Sequence, residues 1–239
     1  MAVSHYLEGD LALSIARGLV VNTTSQHKFG AVPAMSQNQT GTIWDKNDTL
    51  YPWSAFDTAG ILVAAQANAS DNGKTVTVIG LDANYDEVSE DFTLSSSGTV
   101  NGTQVFKRVY RAYMTDGSNV ANVSFSRGGT EVLRITAGKS QTLMAIYTIP
   151  AGYTGYLIKG TCSVQSGADA TGDMFVRYYG QSSFRVGHSF EVSGTGGQYL
   201  YEFAVPIPIP AKSDIDVRAS VRSNNARITA AFDLILVRN

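Results

Sequence analysis

The chain has 239 residues, 44% of them hydrophobic, enough for one large β domain or two smaller ones around a buried core. Only 16% are charged, and 18 basic against 20 acidic side chains leave a net charge of -2, so nothing general draws the chain to nucleic acid or an anionic membrane. Cys162 is the single cysteine, which excludes an internal disulfide and makes a cysteine-based metal or redox pair a poor reading.

Residues 1–56 read as an arm, rich in Asn, Gln, Ser and Thr, with Trp44, Tyr51 and Trp53 near its end. Glu8, Asp10 and Arg17 break the apolar run an export signal needs, and no stretch approaches the roughly 20 apolar residues of a membrane-spanning helix. Leu7, Leu11, Ile15 and Leu19 share one helical face, while Gly18 and Leu19 to Thr24 favour an extended alternative. An arm without a second apolar face has to dock on its own domain or on a neighbouring subunit. Residues 1–40 are expected to be dispensable for folding. Sequons at Asn22, Asn38, Asn47, Asn68, Asn101 and Asn122 reflect an Asn/Ser/Thr-rich chain unless it enters a secretory pathway.

Residues 57–138 read as a small β domain, with strands expected at 61–65, 75–80, 88–94, 104–113, 122–125 and 131–136. Asn72-Gly73 is a hairpin cue between the first two. From Leu81 to Asp91, five carboxylates accumulate; Asp82, Asn84 and Asp86 copy the start of an EF-hand, but Glu87 stands where the glycine belongs. A solvated hairpin loop is the simpler reading, and a looser Ca²⁺ site in Asp82–Asp91 stays open.

Residues 139–239 carry seven runs, at 142–149, 155–164, 173–180, 183–192, 198–205, 214–222 and 226–238, separated by turn chemistry. The expected architecture is all-β, ending in a jelly-roll-like antiparallel β-sandwich. Ile215, Val217, Ala219 and Val221 alternate with Asp214, Asp216, Arg218, Ser220 and Arg222, which predicts one buried and one wet face. Pro206, Pro208 and Pro210 mark an edge strand or a crossover, since proline cannot donate to a ladder.

No catalytic motif is present. His5, His27 and His188 are far apart, with no zinc pattern, and His188 lies on the face of Phe184, Val186, Phe190 and Val192, as a buried, hydrogen-bonded histidine would. Cys162 reads as core filler. Lys107, Arg108 and Arg111 are too few for nucleic-acid binding, and Arg218, Arg222 and Arg227 are balanced by Asp214, Asp216 and Asp233; both groups read as solvated or interface faces. Tyr178 and Tyr179 alternate sides, so one faces solvent or a partner. With Tyr199 and Tyr201 they suit an oligomer contact or a sugar-stacking platform.

Several phrases resemble a family of virion structural proteins from tailed bacteriophages, particularly aquatic ones: Ser4-His5-Tyr6-Leu7, Lys28-Phe29-Gly30, Ile43-Trp44-Asp45, Tyr51-Pro52-Trp53 and Val78-Ile79-Gly80-Leu81-Asp82. Ala145 to Thr154 and Ile209 to Ile215 continue the likeness, which spans nearly the whole chain. It implies a role in building the virion, assembled in the host cytoplasm; no enzymatic activity and no cofactor are expected, and no metal-ligand set is assigned. Head decoration or cement is the first expectation; a tail, head-tail joint or fibre-base component, or a host-glycan-binding adhesin module, is the alternative. The expected partners are further copies, as a trimer, and other virion proteins such as the major capsid protein, contacted through the arm with Trp44, Tyr51 and Trp53 as candidate interface residues.

Overall fold

In the computed structural model, which describes residues 11–46, 48–96, 98–194, 197–223 and 225–239, strand β1 (Thr23–Met35) occupies much of the segment that reads as an arm. It pairs antiparallel with β16 (Ala226–Arg238), from Thr23 opposite Val237 to Met35 opposite Ala226, with one bulge after Val32. The described part of the arm therefore docks on its own chain, and Val32 and Met35 belong to the sandwich core. Its alternation is hidden because the inward positions include Lys28 and Gly30. A Cβ at Gly30 would sit 2.4 Å from both the Ala145 nitrogen and the Ile43 oxygen, so the backbones meet there at a distance that only glycine allows.

The remaining strands are β2 (Thr40–Thr42), β3 (Val63–Gln66), β4 (Thr75–Leu81), β5 (Glu87–Thr93), β6 (Val100–Asn101), β7 (Arg108–Met114), β8 (Val123–Arg127), β9 (Thr130–Ile135), β10 (Ile146–Thr148), β11 (Tyr153–Val164), β12 (Ala170–Arg177), β13 (Arg185–Val192), β14 (Gln198–Ile209) and β15 (Asp214–Val221). The chain is all-β, and its strand ladders are antiparallel.

Two sheets form the sandwich, one ordered β1-β16-β11-β14 and the other β10-β15-β12-β13, with β2 also on β15. Along these paths the chain changes sheet at every step except the β12–β13 hairpin. Ala226, Ile228, Ala230, Phe232, Leu234 and Leu236 all point inward from β16 and are buried. Burial of each large side chain among them contributes roughly 1.5–3 kcal/mol. Pro206 and Pro208 lie as expected of an edge, since β14 ends its sheet, and Pro210 follows it.

Between β2 and β10 the chain builds two smaller sheets, β6-β3-β8-β9 and β5-β4-β7, around Phe92, Phe106, Phe125 and Leu133. Trp44, Tyr51, Trp53, Met144 and Ile146 join that core, while Leu81, Tyr85 and Tyr110 join the sandwich core, so the two bodies share a packed seam. Asn72-Gly73 does not close a β3–β4 hairpin. β3 and β4 lie in different sheets, and Asn72 (φ -61, ψ 136) followed by Gly73 (φ 79) makes a type II turn that redirects the chain.

Of the expected N-terminal helix, Leu11–Ala16 is helical and Leu7 lies outside the described residues. Gly18, at φ 69, ends it in a Schellman motif, with Leu19 N–H donating to Ser14 and Gly18 N–H to Ile15. Ile15 is buried on its own sheet, but Leu11, Leu13, Leu19 and Val21 are 63%, 52%, 57% and 81% exposed.

Candidate functional site

β15 is the strand on which the seam is built. Its expected wet face is not wet: Asp214 and Asp216 are 2% and 0% exposed, because the inserted domain and the segment from Thr42 to Trp53 cover that side of the sheet. A carboxylate can be buried there only because each is saturated with donors. Asp214 Oδ1 accepts from Arg108 Nε at 2.8 Å and Thr148 Oγ1 at 2.7 Å, and Oδ2 from Arg108 Nη2 at 3.1 Å and Arg177 Nη2 at 2.6 Å. Asp216 accepts from Thr42 Oγ1 at 2.9 Å, Trp53 Nε1 at 3.0 Å and Arg218 Nε at 2.8 Å.

Trp44, Tyr51 and Trp53 are 1%, 3% and 6% exposed, and their aromatic contacts fall within the chain. Tyr51 meets Trp44 and Trp53 edge-on, at ring separations of 5.2 and 4.9 Å, and Trp53 continues to Phe184 at 5.5 Å. Arg108 and Arg177 lie against the Trp53 ring at 5.6 and 5.5 Å. Rigid rings and guanidinium groups thus bind the inserted domain to the sandwich.

At the rim of this seam a cleft of about 460 Å³ opens between the bodies. Tyr85, Lys107 and Arg108 line it from the inserted domain, and Arg177, Tyr179 and Lys212 from the sandwich. Tyr85 stands at φ 69 in the β4–β5 turn, where Asp82 Oδ1 accepts from the N–H groups of Asn84 and Asp86. Lys212 Nζ lies 5.4 Å from the Tyr85 ring centre and 5.2 Å from that of Tyr179. Lys107 Nζ donates to the Asp57 carbonyl at 2.7 Å, and burial followed by repulsion from Arg108 lowers its pKa. Burial also works against the Arg108 charge, but the hydrogen bonds and charge of Asp214 outweigh it and raise that pKa. Lys107, Arg108, Arg177 and Lys212 face only the carboxylates of Asp57 and Asp214 here, leaving the walls positive.

The other sequence candidates disperse. In the Asp82–Asp91 segment, Asp82 closes its own turn, Glu87 accepts from Tyr110 Oη at 2.6 Å, Asp91 from Thr77 Oγ1 at 2.6 Å, and Glu90 from the backbone N–H groups of Thr103 and Gln104. Among the described residues, no three His, Cys, Asp or Glu side chains converge as metal ligands would. His27 pairs with Asp233 across β1 and β16 at 2.5 Å, and His188 bonds Tyr199 Oη at 2.7 Å; His5 lies outside the described residues. Burial pushes the Cys162 thiol up to about 12. Tyr179 is the exposed member of its pair, at 62%.

Sequence reasoning missed Arg108, Arg177, Asp214 and Lys212 as a group. Arg108 and Arg177 lie far along the chain from each other and from the Lys212–Asp214 pair, and the only hint was acidic residues alternating with apolar ones on a strand that could have been central.

No family model matches the chain, and no curated protein matches it. Among solved structures it is similar to the cowpea mosaic virus top component, naturally occurring empty particles, at 8% identity over 73% of this chain and 82% of that one, with a TM-score of 0.22. It is also similar to the T=1 particles derived from infectious bursal virus, at 8% identity over 91% and 70% with a TM-score of 0.21, and to the infectious bursal disease virus Gx strain, at 11% over 90% and 70% with the same score. TM-scores of this size do not establish a shared fold.

Proposed function

We propose that the chain is a non-enzymatic structural protein of a tailed-phage virion, a head decoration or cement protein that forms a homo-oligomer, as a trimer, and binds the particle through its N-terminal segment. The observation that carries this reading is the strand order. Eight strands lie in two sheets, ordered β1-β16-β11-β14 and β10-β15-β12-β13, with the smaller β domain inserted after the first of them, and reading that order as a jelly roll supports the proposal. Jelly rolls recur in viral capsid proteins, although they serve lectins and cupins too. Support from sequence is the resemblance of the phrases at residues 4–7, 43–45, 51–53 and 145–154 to such virion proteins.

The contact surface is then the short stretch before β1. Leu11, Leu13, Leu19 and Val21 present apolar area to solvent on a segment held to its own sheet by Ile15. Exposed large apolar side chains grouped on one short segment suit a contact site. Trp44, Tyr51 and Trp53 already bury their area within the chain and are not available for this role. Removal of residues 1–40 would take β1 out of the sandwich, so the informative truncation ends at Asn22. Native mass spectrometry of the full chain should give a trimer, and the chain lacking residues 1–22 should fold but neither trimerise nor co-sediment with capsids. A monomeric full chain that also fails to bind capsids would reject the reading.

A further inference from the structure

We propose that the cleft between the inserted domain and the sandwich is a binding site for an oxyanion carried on a small polar molecule, specifically the carboxylate or sulfate of an acidic sugar. Arg108 and Arg177 direct hydrogen bonds to Asp214, which leaves Lys107 and Lys212 as the cations free to meet a ligand. Among the described residues neither lysine is ion-paired: Lys107 Nζ reaches a carbonyl, and Lys212 Nζ rests between two tyrosine rings. Lys212 is held in place from its backbone, at φ 64, by a 2.8 Å hydrogen bond from its N–H to the Ile149 carbonyl.

Lys107, Arg108, Arg177 and Lys212 outnumber the carboxylates of Asp57 and Asp214 in this cleft, and an oxyanion bound there offsets the excess positive charge through charge-assisted hydrogen bonds. The size and the remaining walls narrow the ligand. About 460 Å³ lies within the range of small-molecule pockets and far exceeds what a lone inorganic ion fills. Ser54, Gln181 and Ser182 supply neutral donors and acceptors of the kind that sugar hydroxyls use, and the exposed Tyr179 ring supplies an aromatic surface. The site has walls from two bodies whose mutual position is fixed by the buried Asp214 network, so it is formed before any ligand arrives.

The inference does not depend on the assembly reading: its signal is ligand binding, whereas that reading stands or falls on native mass and capsid binding. Glucuronate, glucose and sulfate are titrated into the full chain by calorimetry, alongside the double variant Lys107→Gln/Lys212→Gln and the charge-retaining Lys107→Arg/Lys212→Arg. Saturable glucuronate binding that sulfate competes away is expected, with no saturable binding of glucose. The Gln variant should lose about tenfold or more in affinity while the Arg variant keeps most of it. Glucose binding as well as glucuronate, glucuronate failing to saturate, or the Gln variant binding unchanged would each overturn the proposal. If the Gln variant does not fold, the Arg variant and a salt titration decide: binding that does not weaken as salt rises contradicts an ionic site.

Discussion

Arg108 leaves the inserted domain and closes a two-point ion pair on Asp214 of the sandwich, at 2.8 and 3.1 Å, with both residues buried. Arg177 approaches the same carboxylate from β12, so one aspartate accepts hydrogen bonds from guanidinium groups of both bodies. Such a network contributes little over an apolar seam of equal shape, but removal of one partner strands the others in a dry environment. Asp214→Ala should therefore cost about 3–5 kcal/mol. Arg108→Met should cost less, because Asp214 keeps Arg177 and Thr148. Urea denaturation of the single variants and the double variant measures this, and a double variant equal to the sum of the singles would show that the two residues do not act together.

Strand positions in the second half were legible because each run is bounded by turn residues and each inward side chain on β16 is apolar. β1 was not legible. Its inward row includes a lysine and a glycine, and its partner lies about 200 residues later in register, as Lys28 opposite Phe232 shows. The alternation in β15 was read correctly, but not what covers its polar side, since an inserted domain packing there leaves no local mark on Asp214 or Asp216. Asn72-Gly73 signalled a turn and misled on its partners, because a dipeptide specifies backbone angles and says nothing of which strands pair. The cleft depends on all of these at once, and so no short pattern announces it.

Lys28 and Asp45 make stability depend on pH near neutrality. Burial, then repulsion from Arg111, lowers the Lys28 pKa from 10.5 to about 7, with its ammonium against the Tyr110 carbonyl and ring. Burial raises Asp45 from 3.8 to about 7, opposed by hydrogen bonds from Leu143 and Thr136. Between pH 7 and 10.5 the unfolded chain holds the Lys28 proton and the fold does not, so this residue makes stability rise with pH. Between pH 3.8 and 7 the fold holds the Asp45 proton and the unfolded chain does not, so stability falls with pH. Their joint contribution has a trough near pH 7. Lys28→Met should raise stability at pH 7 by up to a few kcal/mol and remove the upper limb; Asp45→Asn should flatten the lower one. Urea midpoints across pH 5, 7 and 9, each an approximate sampling point of the linkage curve, would show no such limbs if the two groups titrate normally.

β14 ends its sheet, carries Leu200 and Val205 exposed at 55% and 80%, and would be an inviting template for another strand. Pro206 and Pro208 interrupt that template, because neither has an N–H to offer and the pyrrolidine rings obstruct a close approach. Pro208 nevertheless keeps its place opposite Tyr156 in the ladder, so the backbone is already extended there and a β-branched residue fits it. Pro206→Thr/Pro208→Thr should leave the fold intact and restore two donors to the edge. The expected outcome is concentration-dependent association beyond the native mass of the parent chain, seen by light scattering and accompanied by a gain in β signal. An unchanged mass over the same concentrations would mean that the apolar edge is guarded by something other than its prolines.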